Sequence, residues 1–103
     1  MINIKPLKAY TDNYIWLLET NEEVSVVDPG DAKPVLDYLS KTNKNIRDIF
    51  ITHHHFDHTA GVPELENIIS GSIYGPKNSY ELINEKVTQG DTLSSLGIKF
   101  EII

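Results

Sequence analysis

Imidazole and carboxylate side chains are concentrated in one short segment of this 103-residue chain. The segment follows an apolar run at 49–51, and all the histidines of the chain lie within it beside one aspartate. These residues are His53, His54, His55, Asp57 and His58. Neutral imidazole is the commonest protein ligand for zinc, and carboxylate oxygens suit zinc, iron and manganese. The segment therefore predicts a metal site at the end of a buried strand.

The spacing of these side chains can serve two metals. His53 and His55 are two positions apart, so an extended backbone directs both side chains the same way and both can reach one metal. Asp57 and His58 follow after one intervening residue and could bind a second metal. Two-metal hydrolytic sites hold their ions ~3.5–4 Å apart around an activated water, which attacks an ester-like carbonyl. Because a catalytic zinc typically keeps three protein ligands, further ligands must come from elsewhere.

The sequence also suggests roles for four other residues. The side chain of His54 should face away from the metal of its neighbours, so we expect it to have a structural role or to support a ligand. Asp28 is either a turn former or a hydrogen-bond partner of a ligand. We expect Tyr14 and Trp16 to be core aromatics rather than substrate contacts.

The composition is typical of one small soluble domain, with 40% hydrophobic and 23% charged residues. A formal net charge of −6, without any cluster of Lys and Arg, disfavours nucleic-acid and membrane-surface partners. The absence of cysteine excludes disulfides and thiolate metal ligands. Because the N-terminus lacks signal-peptide features and no apolar segment approaches ~20 residues, we expect a soluble cytoplasmic protein.

The elements that position the metal segment begin with three short strands. Branched and aromatic residues mark them at 2–10, 14–18 and 24–27, and their close spacing predicts an antiparallel meander with an edge strand first. Asp31 is placed to cap a helix that ends at 42–45. The apolar run at 46–51 then predicts a central strand that is buried on both faces.

Shorter elements follow the histidines. Apolar residues at helical spacing predict a second helix over 62–69, and a short strand is predicted at 72–75. Residues 86–93 predict a hairpin that turns at 89–91. Alternating apolar residues over 98–102 predict a half-buried last strand.

This order of elements corresponds to about one half of a two-sheet sandwich with helices outside. The last strand pattern reaches Ile103 with no polar segment to cover its apolar face. We therefore expect residues 1–103 to be the N-terminal part of a single domain, truncated within it.

The motif His53-x-His55-x-Asp57-His58 after an apolar strand resembles the signature of the metallo-β-lactamase superfamily. Further collinear stretches resemble one of its members, the glyoxalase II (hydroxyacylglutathione hydrolase) family. They lie at 12–17, 27–32, 52–55, 90–91 and 97–100. The resemblance covers essentially the whole chain.

The resemblance implies an α+β fold, the N-terminal half of an αββα sandwich with a mixed sheet and outer helices. It implies hydrolysis of S-D-lactoylglutathione, a thioester, to D-lactate and glutathione at two divalent metals, usually zinc, with iron or manganese substituting. His53 and His55 would bind the first metal, and Asp57 and His58 the second, with Asp57 also in proton transfer. In the family the remaining ligands and the glutathione-binding residues come later in the sequence, so the site in this chain is expected to be incomplete.

Two alternatives remain open from the sequence. One keeps the superfamily but changes the substrate, giving a phosphodiesterase, nuclease or lactonase. The other is a non-catalytic fragment that pairs its open sandwich face with a second copy as a homodimer. For the 103-residue chain by itself we expect weak metal affinity and negligible hydrolase activity.

Overall fold

The architecture consists of a six-stranded mixed sheet, helices that pack on one of its faces, and a two-stranded sheet. The computed structural model describes residues 2–9, 13–52, 56–77 and 80–102. In chain order the elements are β1 (Asn3–Ala9), β2 (Asn13–Glu19), β3 (Glu23–Val27), α1 (Ala32–Thr42), β4 (Asn45–Phe50), α2 (Phe56–Thr59), α3 (Val62–Leu65), β5 (Ile73–Pro76), β6 (Glu85–Val87), β7 (Thr92–Ser95) and β8 (Ile98–Glu101). None of the described helices is long and apolar enough to cross a membrane.

The first three strands form the predicted antiparallel meander, with β1 at one edge of the six-stranded sheet. Along β2 the side chains of Ile15 and Leu17 are buried, because they face the helices. Tyr14 and Trp16 alternate with them and are 52% and 44% exposed. The prediction that Tyr14 and Trp16 are core residues is therefore wrong, because they lie on the opposite face of the sheet.

Helix α1 connects β3 to its parallel neighbour β4. The Asp31 carboxylate accepts a hydrogen bond from the Lys33 N–H at 3.1 Å, which confirms the predicted N-cap. Asn43 ends the helix in the left-handed region at φ 61°, and its N–H donates to the Leu39 carbonyl at 2.8 Å. Asparagine is one of the few residues that accept this conformation readily, so it ends the helix here.

The hydrophobic core lies between the helices and one face of the sheet. Burial of each large apolar side chain contributes roughly 1.5–3 kcal/mol, so this layer is the main source of stability. Its fully buried members include Ile15, Leu17, Val24, Val26, Val35, Ile46, Ile49, Val62, Leu65 and Ile73.

Strand β4 is central, but its first half is not buried on both faces as predicted. The register against β3 shifts between Val24 and Val26, where Arg47 and Asp48 together oppose Ser25. This β-bulge leaves Arg47 exposed to solvent while the neighbouring Asp48 is 3% exposed. The sequence pattern contained no signal for the extra residue.

After β4 the structure has two short helices in place of the one longer helix that was predicted. The helix predicted over 62–69 ends at Leu65, and residues 66–68 form turns in which the Ile68 N–H donates to the Leu65 carbonyl at 3.0 Å. The side chain of Ile68 is 48% exposed, so its helical spacing does not reflect core packing. Helix α2 was not predicted, because its residues lie within the histidine segment.

The hairpin predicted over 86–93 is wrong. Strand β6 pairs in parallel with β5 in the large sheet, whereas β7 pairs with β8 in the small one. The predicted turn exists, with the Asp91 N–H donating to the Thr88 carbonyl at 3.0 Å, but it connects two different sheets. The observed hairpin turns at Leu96 and Gly97, whose φ angles of 56° and 76° suit a tight β-turn.

The small sheet packs on the face of the large sheet that is opposite to the helices. Ser25 of β3 points away from the core, and its Oγ lies 2.7 Å from the Ser95 Oγ of β7. The rings of Phe50 and Phe100 are 5.9 Å apart across the same interface. The order helices, sheet, sheet confirms the predicted α+β fold, and membership of a larger domain stays a prediction.

Candidate metal centre

The predicted ligand segment lies between the carboxyl end of β4 and helix α2. Residues 53–55, and with them His53, His54 and His55, lie outside the described part of the chain. The backbone of Asp57 belongs to α2, while its side chain is outside the description. The structure therefore describes the side chains at the two ends of the segment, Thr52 and His58, and that of the predicted supporting residue Asp28.

Asp28 occupies the turn after β3 and is 7% exposed. Its carboxylate accepts a hydrogen bond from the Thr52 N–H at 2.7 Å and another from the Thr52 hydroxyl. The two residues meet because β3 and β4 are parallel neighbours whose carboxyl ends lie at one edge of the sheet, where the Asp28 N–H also donates to the Phe50 carbonyl at 2.8 Å. Thr52 is not among the predicted site residues, although a threonine directly before the histidines was a usable signal.

The backbone of Asp28 is in the left-handed region, with φ 50°. A non-glycine residue in this region stores roughly 1–3 kcal/mol of strain, which persists only where the surroundings enforce it. The hydrogen bonds that Asp28 accepts from Thr52 and donates to the Phe50 carbonyl supply that enforcement. The strain indicates that the direction of this carboxylate matters more than the local preference of the backbone.

His58 approaches the same carboxylate from the other end of the segment. Its Nδ1 lies 3.3 Å from the Asp28 Oδ2, and the imidazole is 24% exposed. Metal-bound histidines commonly direct their second ring nitrogen to a carboxylate, which fixes the ring and makes Nε2 the ligating atom. A carboxylate beside this ring nitrogen is the arrangement found next to metal-bound histidines, and here it is an ion-pair contact rather than an aligned hydrogen bond.

A second contact holds the chain beyond His58 against the turn after β3. The Gly61 N–H donates to the Pro29 carbonyl at 2.9 Å. A Cβ at Gly61 would lie 2.6 Å from both the Pro29 carbonyl oxygen and the Ala32 nitrogen. Only glycine therefore permits this close approach of the two backbones.

The donor set in this region suits a divalent metal. Among the residues that the structure describes, no group of three or more His, Asp or Glu is close enough to hold an ion, and three of the four predicted ligand side chains lie outside that part. The fit therefore rests on His58 and on the carboxylate that supports it. Imidazole with carboxylate, in the absence of thiolate, favours zinc, iron or manganese.

A cavity of about 710 Å³ opens beside Thr52 between the two sheets. Its walls are largely apolar and include stacked Phe50 and Tyr74 rings whose centroids are 5.5 Å apart. Leu93 and Ile102 line it from the side of the small sheet. Its volume is in the range of small-molecule sites, and it adjoins the start of the metal segment.

Titratable groups with shifted pKa values lie on the other side of the sheet. Burial raises the pKa of Glu19, but hydrogen bonds from Tyr38 and Lys44 and the nearby lysine charges outweigh burial and lower it overall. Burial and the bond to Glu19 raise the pKa of Tyr38 to about 12. Burial, with the charges of Glu81 and Glu66, raises the pKa of Tyr80. The first two groups connect α1 to β2 rather than forming part of the metal segment.

Comparison with known proteins assigns this arrangement to a family. The family model described as the metallo-beta-lactamase superfamily matches residues 11–97. The chain belongs to the metallo-beta-lactamase superfamily. Membership implies a divalent metal and confirms the resemblance carried by the histidine motif. The four ligand assignments themselves remain predictions.

Within the superfamily, the chain is similar to hydroxyacylglutathione hydrolases. A hydroxyacylglutathione hydrolase of Pseudoalteromonas translucida (strain TAC 125) is 46% identical over 110 residues, covering 100% of this chain and 42% of that protein. A hydroxyacylglutathione hydrolase of Methylobacillus flagellatus is 44% identical over 103 residues, covering 99% of this chain and 41% of that protein. This superfamily member thus spans about two fifths of the length of these relatives.

Solved structures confirm the metallo-β-lactamase fold. BLEG-1 B3 metallo-beta-lactamase superimposes with a TM-score of 0.75 at 20% identity, covering 98% of this chain and 59% of that one. ETHE1 from Myxococcus xanthus gives a TM-score of 0.73 at 21% identity, covering 98% of this chain and 46% of that one. At these identities the similarity concerns the fold alone.

Proposed function

We propose that this chain provides the first metal-ligand segment of a hydrolase that converts S-D-lactoylglutathione to D-lactate and glutathione. The observation that carries the proposal is the Asp28 carboxylate, which contacts both ends of the predicted ligand segment. Similarity to hydroxyacylglutathione hydrolases over the whole chain supports the substrate. Because the chain matches two fifths of those proteins, the activity is proposed for a protein of their length.

The roles that we propose for individual residues follow the motif. His53 and His55 hold the first metal, and Asp57 and His58 the second, with zinc as the preferred ion and iron or manganese as substitutes. When bound, the metals lower the pKa of a water molecule toward roughly 7 and stabilise negative charge that develops on the carbonyl oxygen of the thioester. Asp57 takes part in proton transfer at its carboxylate.

The neighbouring residues position these groups. Asp28 orients the imidazole of His58 through Nδ1 and holds the Thr52 backbone where β4 ends. Gly61 brings the chain back onto the turn at Pro29, which limits the paths that the segment can take. His54 has a structural role or supports a ligand.

The test compares two adjacent histidines in a protein extended to the length of the relatives. His55→Ala should lower the rate of S-D-lactoylglutathione hydrolysis in the presence of zinc by ~100-fold or more, because loss of even an outer partner of a ligand costs 10- to 100-fold. His54→Ala is the comparison variant and should lose clearly less activity than His55→Ala, because His54 is expected to support the site rather than to bind the metal. Equal losses in the two variants, or no turnover with zinc, iron or manganese, would contradict the proposal.

Two further measurements separate the alternatives. Turnover of a phosphodiester or a lactone without turnover of the thioester would assign another substrate class in the same superfamily. Residues 1–103 alone should bind zinc weakly and show negligible hydrolysis, because four ligands cannot give each of two metals the usual three. Tight stoichiometric zinc binding with turnover by residues 1–103 would refute that expectation.

A further inference from the structure

The register of β4 against β3 changes at one place, the β-bulge. Val24 pairs with Ile46 before the bulge, and Val26 pairs with Ile49 after it. Between these two pairs β4 therefore contains one residue more than β3. Without that residue, every later residue of β4 would lie one position further along β3, and its side chain would point to the other face of the sheet. The bulge thus determines which residues of the two strands meet at their carboxyl ends.

The metal segment begins at the strand end that this register sets. There the Asp28 N–H donates to the Phe50 carbonyl at 2.8 Å, and the Thr52 N–H donates to the Asp28 carboxylate at 2.7 Å. A shift of one residue would move Thr52 by roughly 3.3 Å along the strand, which would break both hydrogen bonds. The contact between Asp28 and the start of the metal segment therefore requires the bulge.

The side chain of Asp48 holds the bulge from two directions. The Ser72 N–H donates to its Oδ1 at 2.8 Å, and the Ser95 hydroxyl donates to its Oδ2 at 2.5 Å. Ser72 directly precedes β5 and Ser95 belongs to β7, so one carboxylate joins the bulge to the neighbouring strand and to the second sheet. The Ser95 Oγ also lies 2.7 Å from the Oγ of Ser25, the residue of β3 that the bulge opposes.

Burial makes these hydrogen bonds a condition for the observed register. Asp48 and Ser95 are each 3% exposed. Of the ion pairs between described residues, none includes Asp48. A buried carboxylate that loses a donor is costly, so Asp48 stays where both donors reach it. Gly71 leaves the necessary space, because a Cβ there would collide with the Asp48 carboxylate.

We propose that Asp48 is a positioning residue for the metal segment, because it fixes the bulge that places Thr52 against Asp28. Asp48 lies four residues before Thr52, roughly 13 Å along the strand, so it acts through the backbone of β4 rather than by direct contact. The inference rests on the proposed function only in its last step, from Thr52 to the bound metal.

The test uses amide hydrogen exchange in the metal-free form of a protein extended to the length of the relatives. Asp48→Ala removes the acceptor of both donors and should accelerate exchange of the Thr52 and Asp28 amides by ~10- to 100-fold. The amide of Asn45 donates to the Glu22 carbonyl before the bulge, and its rate should not change.

The conservative variant Asp48→Asn separates the hydrogen bonds from the charge. Its amide oxygen can accept from Ser72 and its amide nitrogen can donate to Ser95, which then donates to Ser25, so the exchange rates should stay within ~3-fold of the unsubstituted protein. Ser95→Ala removes one donor and should give a smaller acceleration, which covers the case in which Asp48→Ala does not fold. Ser94→Ala, on the same strand but exposed, is its control and should change no rate.

A core variant distinguishes positioning from a general loss of stability. Val35 is buried on α1, and Val35→Ala should accelerate the Thr52 and Asn45 amides alike. The same uniform pattern in Asp48→Ala would overturn the proposal. Unchanged Thr52 exchange in both Asp48→Ala and Ser95→Ala would also overturn it.

Zinc affinity, measured by competition with a chelator, tests the last step. Asp48→Ala should bind zinc ~10-fold more weakly, whereas Asp48→Asn and Val35→Ala should bind it as the unsubstituted protein does. Faster Thr52 exchange with unchanged zinc affinity would refute the positioning role. Absence of zinc binding by the unsubstituted protein would instead refute the proposed function, and the exchange rates would still decide whether Asp48 places Thr52.

Discussion

At the scale of single residues, Asp28 shows how one side chain can organise a segment whose ligands come from other positions. Its carboxylate contacts Thr52 at the start of the segment and His58 near the end. The left-handed backbone at φ 50° turns it toward both. A polar residue before a Pro-Gly pair has an adequate explanation as a turn former, so the sequence left both roles open, and the contacts favour the supporting one.

In a protein extended to the length of the relatives, replacing Asp28 by Asn should weaken zinc binding by ~10- to 100-fold. The amide keeps the size of the side chain but removes the charge that holds the His58 imidazole in place. Competition with a chromophoric chelator measures the affinity. Asp37→Asn is the control, because that carboxylate is 67% exposed and pairs with Lys33 on the surface of α1. Equal affinities of the two variants would exclude the supporting role.

Glu19 and its hydrogen-bond partners Tyr38 and Lys44 should determine how the stability of the protein depends on pH. The folded protein lowers the pKa of Glu19 below 4.5, so its contribution is present above that pH and is lost as the pH falls through the folded value. Tyr38 acts in the opposite direction: its contribution is complete below pH 10 and is lost as the pH rises toward about 12.

Glu19→Gln should reduce the free energy of unfolding at pH 7 by ~2 kcal/mol and flatten the acid side of the stability profile. The reduction is expected because Tyr38 and Lys44 lose a charged acceptor. Urea unfolding at a series of pH values measures both effects. Glu22→Gln, at an exposed position in the turn before β3, should leave the profile unchanged. A profile for Glu19→Gln that parallels the unsubstituted protein would contradict the assignment.

At the scale of elements, the turn after β3 and the junction between α2 and α3 are held together through Gly61. Gly61→Ala places a methyl group 2.6 Å from backbone atoms that cannot rotate away. The free energy of unfolding should fall by ~1–3 kcal/mol, and zinc affinity should fall with it. Chemical denaturation and metal titration provide the two readouts.

Gly90→Ala distinguishes a steric effect from a conformational one. Its φ is 93°, but an added Cβ would meet no atom within 4 Å. The variant should therefore lose ~1 kcal/mol of stability through strain and none of its zinc affinity. If Gly90→Ala weakened zinc binding as much as Gly61→Ala does, the close backbone approach would not be the cause.

The sequence predicted elements well where local patterns determine them. Runs of branched and aromatic residues identified β1 to β3, and capping chemistry placed both ends of α1. The sequence failed where pairing is nonlocal, because alternation says that a segment is extended but not which strand lies beside it. Thus β6 pairs with β5 although the turn at Gly90 suggested β7. The bulge at Arg47 and Asp48 could not be predicted from the pattern of apolar residues for the same reason.

At the scale of the whole molecule, the histidine motif predicted the superfamily because its spacing is specific, and the family match confirms it. The orientation of Tyr14 and Trp16 was missed because side chains on both faces of a central strand are commonly apolar. The assignments of individual ligands stay predictions, since the side chains of His53, His55 and Asp57 lie outside the described part of the chain.

Self-association of residues 1–103 as a homodimer also stays a prediction, and the exposed aromatic face offers a way to test it. The ring centroids of Tyr14 and Trp16 lie 6.2 Å apart on that face. If the 103-residue chain pairs through this face, Trp16→Ser should weaken the dimer by ~10-fold or more, since buried tryptophans often dominate interfaces. Leu36→Ser, on the helical side and 37% exposed, is the control. Sedimentation velocity showing only monomer at every concentration would rule out the pairing.

The shared attachment of Thr52 and His58 to one carboxylate makes the predicted ligand segment a closed loop before any ion arrives. Only residues 53–57 lie between the two attached ends. The entropy of bringing these two ends together is thereby lost during folding rather than during metal capture. An ion that binds between these ends does not have to bring Thr52 and His58 together, which favours capture with little rearrangement of β3 and β4.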